Sequence, residues 1–263
     1  MLNVEHLTVL SAEGNRLLDD VSLCLNKGEC LCLTGKSGSG KTTLLRTIMG
    51  LPNTGTRIAG GDILLEGKSL LRCSKTERRA LCGRTLGFIP QNAMTAFFPN
   101  VRIGKQLTET YRLLLNCGRA EAEAKAEEML RLVNLEDTRR VLNAWPGQLS
   151  GGMLQRVAVS ILLGTRPMFI LADEPTGALD ESNRDLLVKL LSDYRDAGIL
   201  FISHDVKAIR ALCETTCVLE DGRIIERQAT EELFESPESP WTRQFVKAAQ
   251  RAKEGEGHWK VLR

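Results

Sequence analysis

The sequence predicts an α/β fold with a parallel sheet, on three observations. Residues 35–42, Gly-Lys-Ser-Gly-Ser-Gly-Lys-Thr, read G-x-x-x-x-G-K-[ST]. They lie between an apolar, β-type segment, Glu29–Thr34, and Thr43–Met49, which is apolar at helical spacing and closed by Gly50 and Pro52. Met168–Glu174 and Ile199–Ser203 are near-continuous apolar runs, the pattern of strands buried on both faces.

Strand, glycine loop and helix form the context in which such a motif cradles phosphate. Glycines at 35, 38 and 40 let the backbone curl until successive N–H groups point inward, a concave nest for anionic oxygens. The partial positive charge at the start of the following helix adds to the attraction. Lys41 can reach the β- and γ-phosphates of a nucleotide, and the Thr42 hydroxyl can ligate Mg²⁺. The candidate binding residues here are Gly35, Lys36, Ser37, Gly38, Ser39, Gly40, Lys41, Thr42 and Thr43.

Composition narrows the class. With 43% apolar and 26% charged residues over 263 positions, the chain reads as an ordinary globular protein of one large domain or two small ones. A net charge of +2 makes no case for bulk binding to nucleic acid or anionic lipid. No apolar run approaches a membrane span, and Met1–His6 lacks the regions of a signal peptide. The expectation is a cytosolic chain able to dock on a membrane protein. Eight cysteines include no C-x-x-C pair; Cys213 and Cys217 are four apart, with no second half-site nearby. Inert thiols are expected, with Cys24, Cys30 and Cys32 acting as small hydrophobes in β-type segments.

In chain order, residues 2–10 partly alternate, Gly14 and Asn15 mark a turn, and Val21–Leu25 alternates again. Lys27-Gly28 turns the chain into the strand that enters the glycine loop. Gly60-Gly61 precedes a further short strand, Asp62–Gly67, so an antiparallel β layer is expected beside the phosphate-binding core. Leu86–Gln91 is an apolar strand ending on glutamine. The character is then helical to about Thr165, with a solvated acidic face and a Met129, Leu130, Val133 stripe on the Ala120–Leu132 helix. Ser150 is the expected N-cap of the helix that opens with Gly151 and Gly152, a second helix terminus able to face phosphate.

Met168–Glu174 ends on adjacent carboxylates, and ligands of such sheets lie beyond the carboxyl ends of the strands. Asp173 suits Mg²⁺ coordination through water, and Glu174 suits polarising an attacking water. A turn follows over Pro175–Asp180, then an amphipathic helix over Ser182–Ala197. His204 follows its strand as Gln91 and Glu174 follow theirs, which makes it a candidate site residue. Asp221-Gly222 signals a two-residue hairpin. A short helix, a Pro-containing turn and a second helix close the tail, with a polar last dozen residues.

In this order the motifs resemble the ATP-binding subunits of ABC transporters, and the resemblance covers nearly the whole chain. Residues 35–42 look like Walker A, Gln91 the Q-loop, Leu149–Arg156 the signature motif and Phe169–Asp173 Walker B. Glu174 matches the catalytic glutamate, Ala178-Leu179-Asp180 the D-loop and His204 the switch histidine. The resemblance implies a phosphate-loop (RecA-like) NTPase core with an antiparallel β subdomain and an inserted helical subdomain. Within a single 1–263 domain, the core and β layer would be 1–90 and 166–228, the helical subdomain 91–165 and the tail 229–263. It further implies ATP and Mg²⁺, the metal held by Thr42, Gln91 and Asp173, and hydrolysis served by Lys41, Gln91, Glu174 and His204. Two subunits would meet head to tail, each ATP lying between Walker A of one and Ser150-Gly151-Gly152 of the other.

Gln91–Pro99 is similar to the segment after the Q-loop in peptide and nickel importers, and Leu233–Thr242 resembles their tail motif. Two features depart from the pattern. Residues 8–18 contain no aromatic to stack on adenine, which leaves an aliphatic such as Leu10 and an open choice between adenine and guanine. No cysteine follows Cys217, so the chain looks more like the short nickel-type subunits, which commonly pair with a non-identical ATPase. The expected partners are that second ATPase, two transmembrane permease subunits and, indirectly, an extracytoplasmic substrate-binding protein, with no nucleic acid; the location is peripheral, on the cytoplasmic face of the membrane. The alternative is a soluble ABC ATPase serving translation, DNA repair or cluster assembly.

Overall fold

A computed structural model describes residues 1–177, 179–194 and 196–253. Along the chain come β1 (Leu2–Leu10), β2 (Arg16–Leu25), β3 (Cys30–Thr34), α1 (Lys41–Ile48), β4 (Arg57–Leu65), β5 (Lys68–Ser69) and α2 (Lys75–Leu81). There follow β6 (Leu86–Ile89), α3 (Ile103–Leu115), α4 (Arg119–Leu132), α5 (Thr138–Asn143), α6 (Gly151–Thr165), β7 (Phe169–Asp173) and α7 (Glu181–Asp193). The chain continues through β8 (Gly198–Ile202), α8 (Val206–Leu212), β9 (Thr215–Glu220), β10 (Arg223–Ala229), α9 (Thr230–Glu235) and α10 (Pro240–Lys253). By contact density the chain divides into a first unit, residues 1–79 with those from Gly198 onward, and a second, residues 80–197.

In the first unit β2-β1-β4-β5 form an antiparallel sheet. The partial alternation of β1 has a physical cause. Leu2 and Val4 are buried, then the phase slips and Leu7 and Val9 are buried instead. His6, at φ 50°, supplies the extra residue, and the register against β2 and β4 shifts there. Gly61 (φ 81°) lies across from this bulge; a Cβ on it would fall 2.3 Å from the Glu5 carbonyl oxygen. The strand expected to start at Asp62 therefore starts at Arg57 and runs through both glycines.

β9, β3 and β8 pair in parallel, with β3 between the other two, and β10 returns antiparallel on β9. Every residue of β3 and β8 is buried, as their unbroken apolar sequence requires. The β9–β10 turn places Asp221 at φ 44° and Gly222 at φ 79°, both in the left-handed region that the Asp-Gly pair favours. α10 packs Trp241, Phe245, Val246 and Ala249 inward.

In the second unit β6 and β7 pair in parallel, Ile89 opposite Ala172. α4 buries Ala122, Ala126, Met129 and Leu130, with Val133 just beyond its end. Its other face carries the exposed ion pairs Arg119–Glu123, Lys125–Glu128 and Arg131–Glu127, one helical turn apart. Tyr111 of α3, fully buried, donates to the Ser160 carbonyl of α6 at 2.8 Å. Gly164 makes room for that ring, since a Cβ there would sit 2.5 Å from Tyr111 Cε1. The helix expected over Ser182–Ala197 ends at Asp193, where Tyr194 leaves helical geometry at ψ 57°. Ala178 and the tail after Lys253 lie outside the described residues, so the D-loop is described only at Leu179 and Asp180.

Candidate functional site

The glycine loop is shaped by what lies behind it. Gly35, Gly38 and Gly40 take φ of 141°, 81° and 107°, where side chains are strained. Two of them also admit no Cβ: at Gly35 it would lie 2.0 Å from the Leu219 carbonyl oxygen, and at Gly40 2.6 Å from that of Leu17. The backbone is thus pressed against β9 and β2, and its inner face is left to a ligand. Lys41 is 7% exposed; its Nζ donates to the carbonyls of Gly35 (2.6 Å) and Lys36 (2.8 Å) and lies 3.4 Å from Ser39 Oγ. A lysine arched over the loop in this way puts a full positive charge at the mouth of the nest. α1 begins at Lys41 with Gly40, which has no side chain to cap it, as N-cap. Its first N–H groups are therefore open to an anion. Thr42 is exposed and Thr43 half-buried on that first turn.

A brace behind the loop draws in residues that the sequence reading did not single out. Gly222 N donates to the Ser39 carbonyl at 3.1 Å, and Asp19 N to the Gly222 carbonyl at 2.9 Å. The Asp19 carboxylate, 8% exposed, accepts from Arg223 Nε at 2.7 Å and from Arg16 Nη1 at 2.5 Å. The Arg223 hydrogen bond foremost, with the charge of Arg16, holds the Asp19 carboxyl below the usual carboxylate range. The local signal was present: Asp19 interrupts the apolar-inward pattern of β2, and Arg223 directly follows the Asp-Gly turn.

His204 lies just past β8 in the same unit, half-buried, its ring centroid 6.4 Å from that of Phe245. Asp205 beside it caps α8, accepting from the amides of Lys207 and Ala208.

In the second unit the parallel register of β6 and β7 brings their carboxyl ends level, and Gln91 and Glu174 follow those ends. Gln91 Nε2 donates to Glu174 Oε2 at 3.0 Å. Glu174 takes φ 44°, a left-handed conformation that costs a non-glycine residue on the order of 1 kcal/mol. Asp173, at 3% exposure, closes β7 beside it. Two carboxylates and an amide thus stand at the carboxyl edge of a parallel pair, where ligands of such sheets bind.

Ser150 caps α6, its Oγ accepting from Met153 N at 3.2 Å. Ser150 and Gly151 are exposed and Gly152 half-buried, with no acidic residue in the helix's first turn. Arg156 anchors that turn by donating to the Asn134 carbonyl at 2.9 Å. Asp180 caps α7 through Asn183 N. Chemically, the first unit offers an anion cradle with a lysine. The second offers carboxylates to hold a cation or orient water, and an exposed, Ser150-capped helix terminus.

Residues 18–177 match the ABC transporter family. The chain is 33% identical to the metal-staphylopine import system ATP-binding protein CntD of Staphylococcus aureus over 94% of its length and 92% of the relative's. It is 35% identical to a probable peptide ABC transporter ATP-binding protein of Sinorhizobium fredii, covering 88% of this chain and 70% of that one. Among solved structures it is similar to a dimeric bacterial ABC transporter cassette, with a TM-score of 0.77 and 26% identity over 88% of this chain and 99% of that one. No helix among the described residues is long and apolar enough to cross a membrane. This likeness over most of its length shows that the chain belongs to the ABC transporter family, as an ATP-binding subunit.

Proposed function

We propose that the chain hydrolyses ATP to drive an importer of peptides, nickel or metal-chelate complexes. The observation that carries this is the pairing of Gln91 with a Glu174 carboxylate held in a strained backbone conformation at the end of β7. Likeness over nine-tenths of both chains to a metal-staphylopine import subunit, and to a peptide transporter subunit, supports the substrate class. On this reading 1–90 and 166–228 form the nucleotide core with its β layer, 91–165 the helical subdomain that grips a permease, and 229–263 the tail.

Phosphoryl transfer asks for positioning and charge stabilisation more than for covalent chemistry. Gly35–Thr43 hold the phosphates through backbone N–H groups, and Lys41 exchanges its loop carbonyls for phosphate oxygens. Thr42, Gln91 and Asp173 offer only oxygen donors, the set a hard cation takes, and would hold Mg²⁺. Bound there, the metal would supply charge against the transferring phosphoryl group. Glu174 orients and polarises the attacking water, with Gln91 fixing its carboxylate, and His204 contacts the γ-phosphate from the end of β8. Ser150, Gly151 and Gly152 serve the ATP of a second subunit met head to tail, and the dimeric form of the similar cassette supports the presence of such a second subunit. A non-identical ATPase, two permease subunits, an extracytoplasmic binding protein and a peripheral position on the cytoplasmic face complete the reading.

A mild-detergent pull-down of the tagged chain from membranes tests it. The expected result is recovery of two multi-span proteins and a second ATPase. Recovery from the soluble fraction with ribosomal or DNA-repair partners would contradict it.

A further inference from the structure

The tail segment Leu233–Thr242, singled out in the sequence, has no part in the chemistry above, yet the structure spends a buried charge on it. Glu226 of β10 is 4% exposed. Its carboxylate accepts from Glu238 N (2.8 Å), Ser239 N (3.0 Å) and Thr242 Oγ1 (2.6 Å). Burial pushes this carboxyl up, but those hydrogen bonds outweigh it and hold it below the usual range. A carboxylate so placed complements the positive end of α10 and ties the helix to the sheet at one orientation. Ser239 Oγ also accepts from Thr242 N at 3.0 Å.

What this anchoring fixes is an aromatic stack. Trp241 lies parallel to Phe245 at 5.1 Å and 12°, and Phe234 flanks the same ring at 6.1 Å. Phe245 is 1% exposed, so its ring has one place. Among the described residues its third aromatic neighbour is His204, at 6.4 Å and 72°, within the range of edge-to-face pairs. The parallel register adds the connection to the site. Leu33 of β3 pairs with Ile202 of β8, and two residues beyond each come Gly35 and His204. The imidazole therefore leaves its strand level with the start of the phosphate loop, with Phe245 against it.

We propose that Phe245, held by the Glu226-anchored α10, is a positioning residue for the His204 imidazole. The inference rests on the role given to His204 above. It assigns the tail motif a task in ATP turnover: fixing the direction of one ring on the strand beside the phosphate loop.

The test combines kinetics on the complex recovered with the tagged chain and histidine-ring NMR of the full chain. Three histidines, His6, His204 and His258, give few signals, and H204Q identifies the one that matters. Phe245→Leu is expected to lower kcat about three- to tenfold with KM for ATP unchanged, and to move the His204 ring signals. Phe245→Tyr, which keeps the ring, is expected to restore both. Val246→Ala, a buried neighbour on the same helix, is expected to lower Tm while leaving kcat and those signals in place. If Phe245→Leu does not fold, Glu226→Gln, which loosens the anchor, is expected to shift the same signals and lower kcat. Unchanged kcat and unmoved His204 signals in a folded Phe245→Leu or Glu226→Gln protein would overturn the proposal. Turnover lost in H204Q but intact in Phe245→Leu would overturn it alone; turnover intact in H204Q would overturn the role of His204 as well.

Discussion

Gln91 Nε2 donates to Glu174 Oε2 at 3.0 Å, across the level ends of the parallel pair β6 and β7. The bond selects one oxygen of a carboxylate whose backbone is already confined to φ 44°. Gln91→Ala is expected to lower kcat by about tenfold or more, since it removes a hydrogen bond to a charged group and one oxygen of the proposed Mg²⁺ site. Steady-state phosphate release checks this.

Gly35 and Gly38 share a left-handed backbone but differ in surroundings. Gly35→Ala forces a methyl to 2.0 Å from the Leu219 carbonyl oxygen, whereas a Cβ at Gly38 meets nothing within 4 Å. Thermal unfolding is expected to show a loss of about 2 kcal/mol or more for Gly35→Ala and about 1 kcal/mol for Gly38→Ala. Nucleotide binding falls in both, since each methyl disturbs the nest.

Ser150→Ala removes the acceptor of the Met153 amide at the start of α6. The expected cost is about 1 kcal/mol of stability, read by denaturant unfolding. Ser150→Asn, which still caps, should recover most of it.

Asp19 sets an acid limit to the loop's brace. Its folded pKa is depressed, chiefly by the Arg223 hydrogen bond, so the contribution is present above the ordinary aspartate pKa and is lost as pH falls through the folded value. Asp19→Asn is expected to have a lower Tm than the parent above about pH 5 and a flatter decline below about pH 4. Parallel Tm–pH curves would contradict this.

Strand identity was legible wherever burial is two-sided: β3, β7 and β8 are unbroken apolar runs, and all three are buried throughout. The bend of the glycine loop, the strand-end places of Gln91, Asp173 and Glu174, the Ser150 cap and the Asp221-Gly222 turn were also legible, because each is a local pattern. Two kinds of feature were not. The start of β4 was hidden because Gly60-Gly61 signals a turn in sequence, while in the structure Gly61 accommodates the bulge made by His6 in the neighbouring strand. The Asp19–Arg223 pair joins residues 204 apart, a separation no local pattern reports. The contact of Phe245 with His204 likewise depends on how α10 returns to the sheet, which is set by a buried carboxylate on another element.

On the proposed mechanism this chain's own carboxylate, Glu174, drives ATP hydrolysis on a phosphate loop that binds independently of it. Phosphate release and nucleotide binding should be measured side by side for the parent and Glu174→Gln in the complex recovered through the tagged chain. Turnover is expected to fall roughly a hundredfold or more while ATP is still bound, because the amide keeps the shape but not the proton affinity. Turnover at the parent rate in Glu174→Gln would contradict the account.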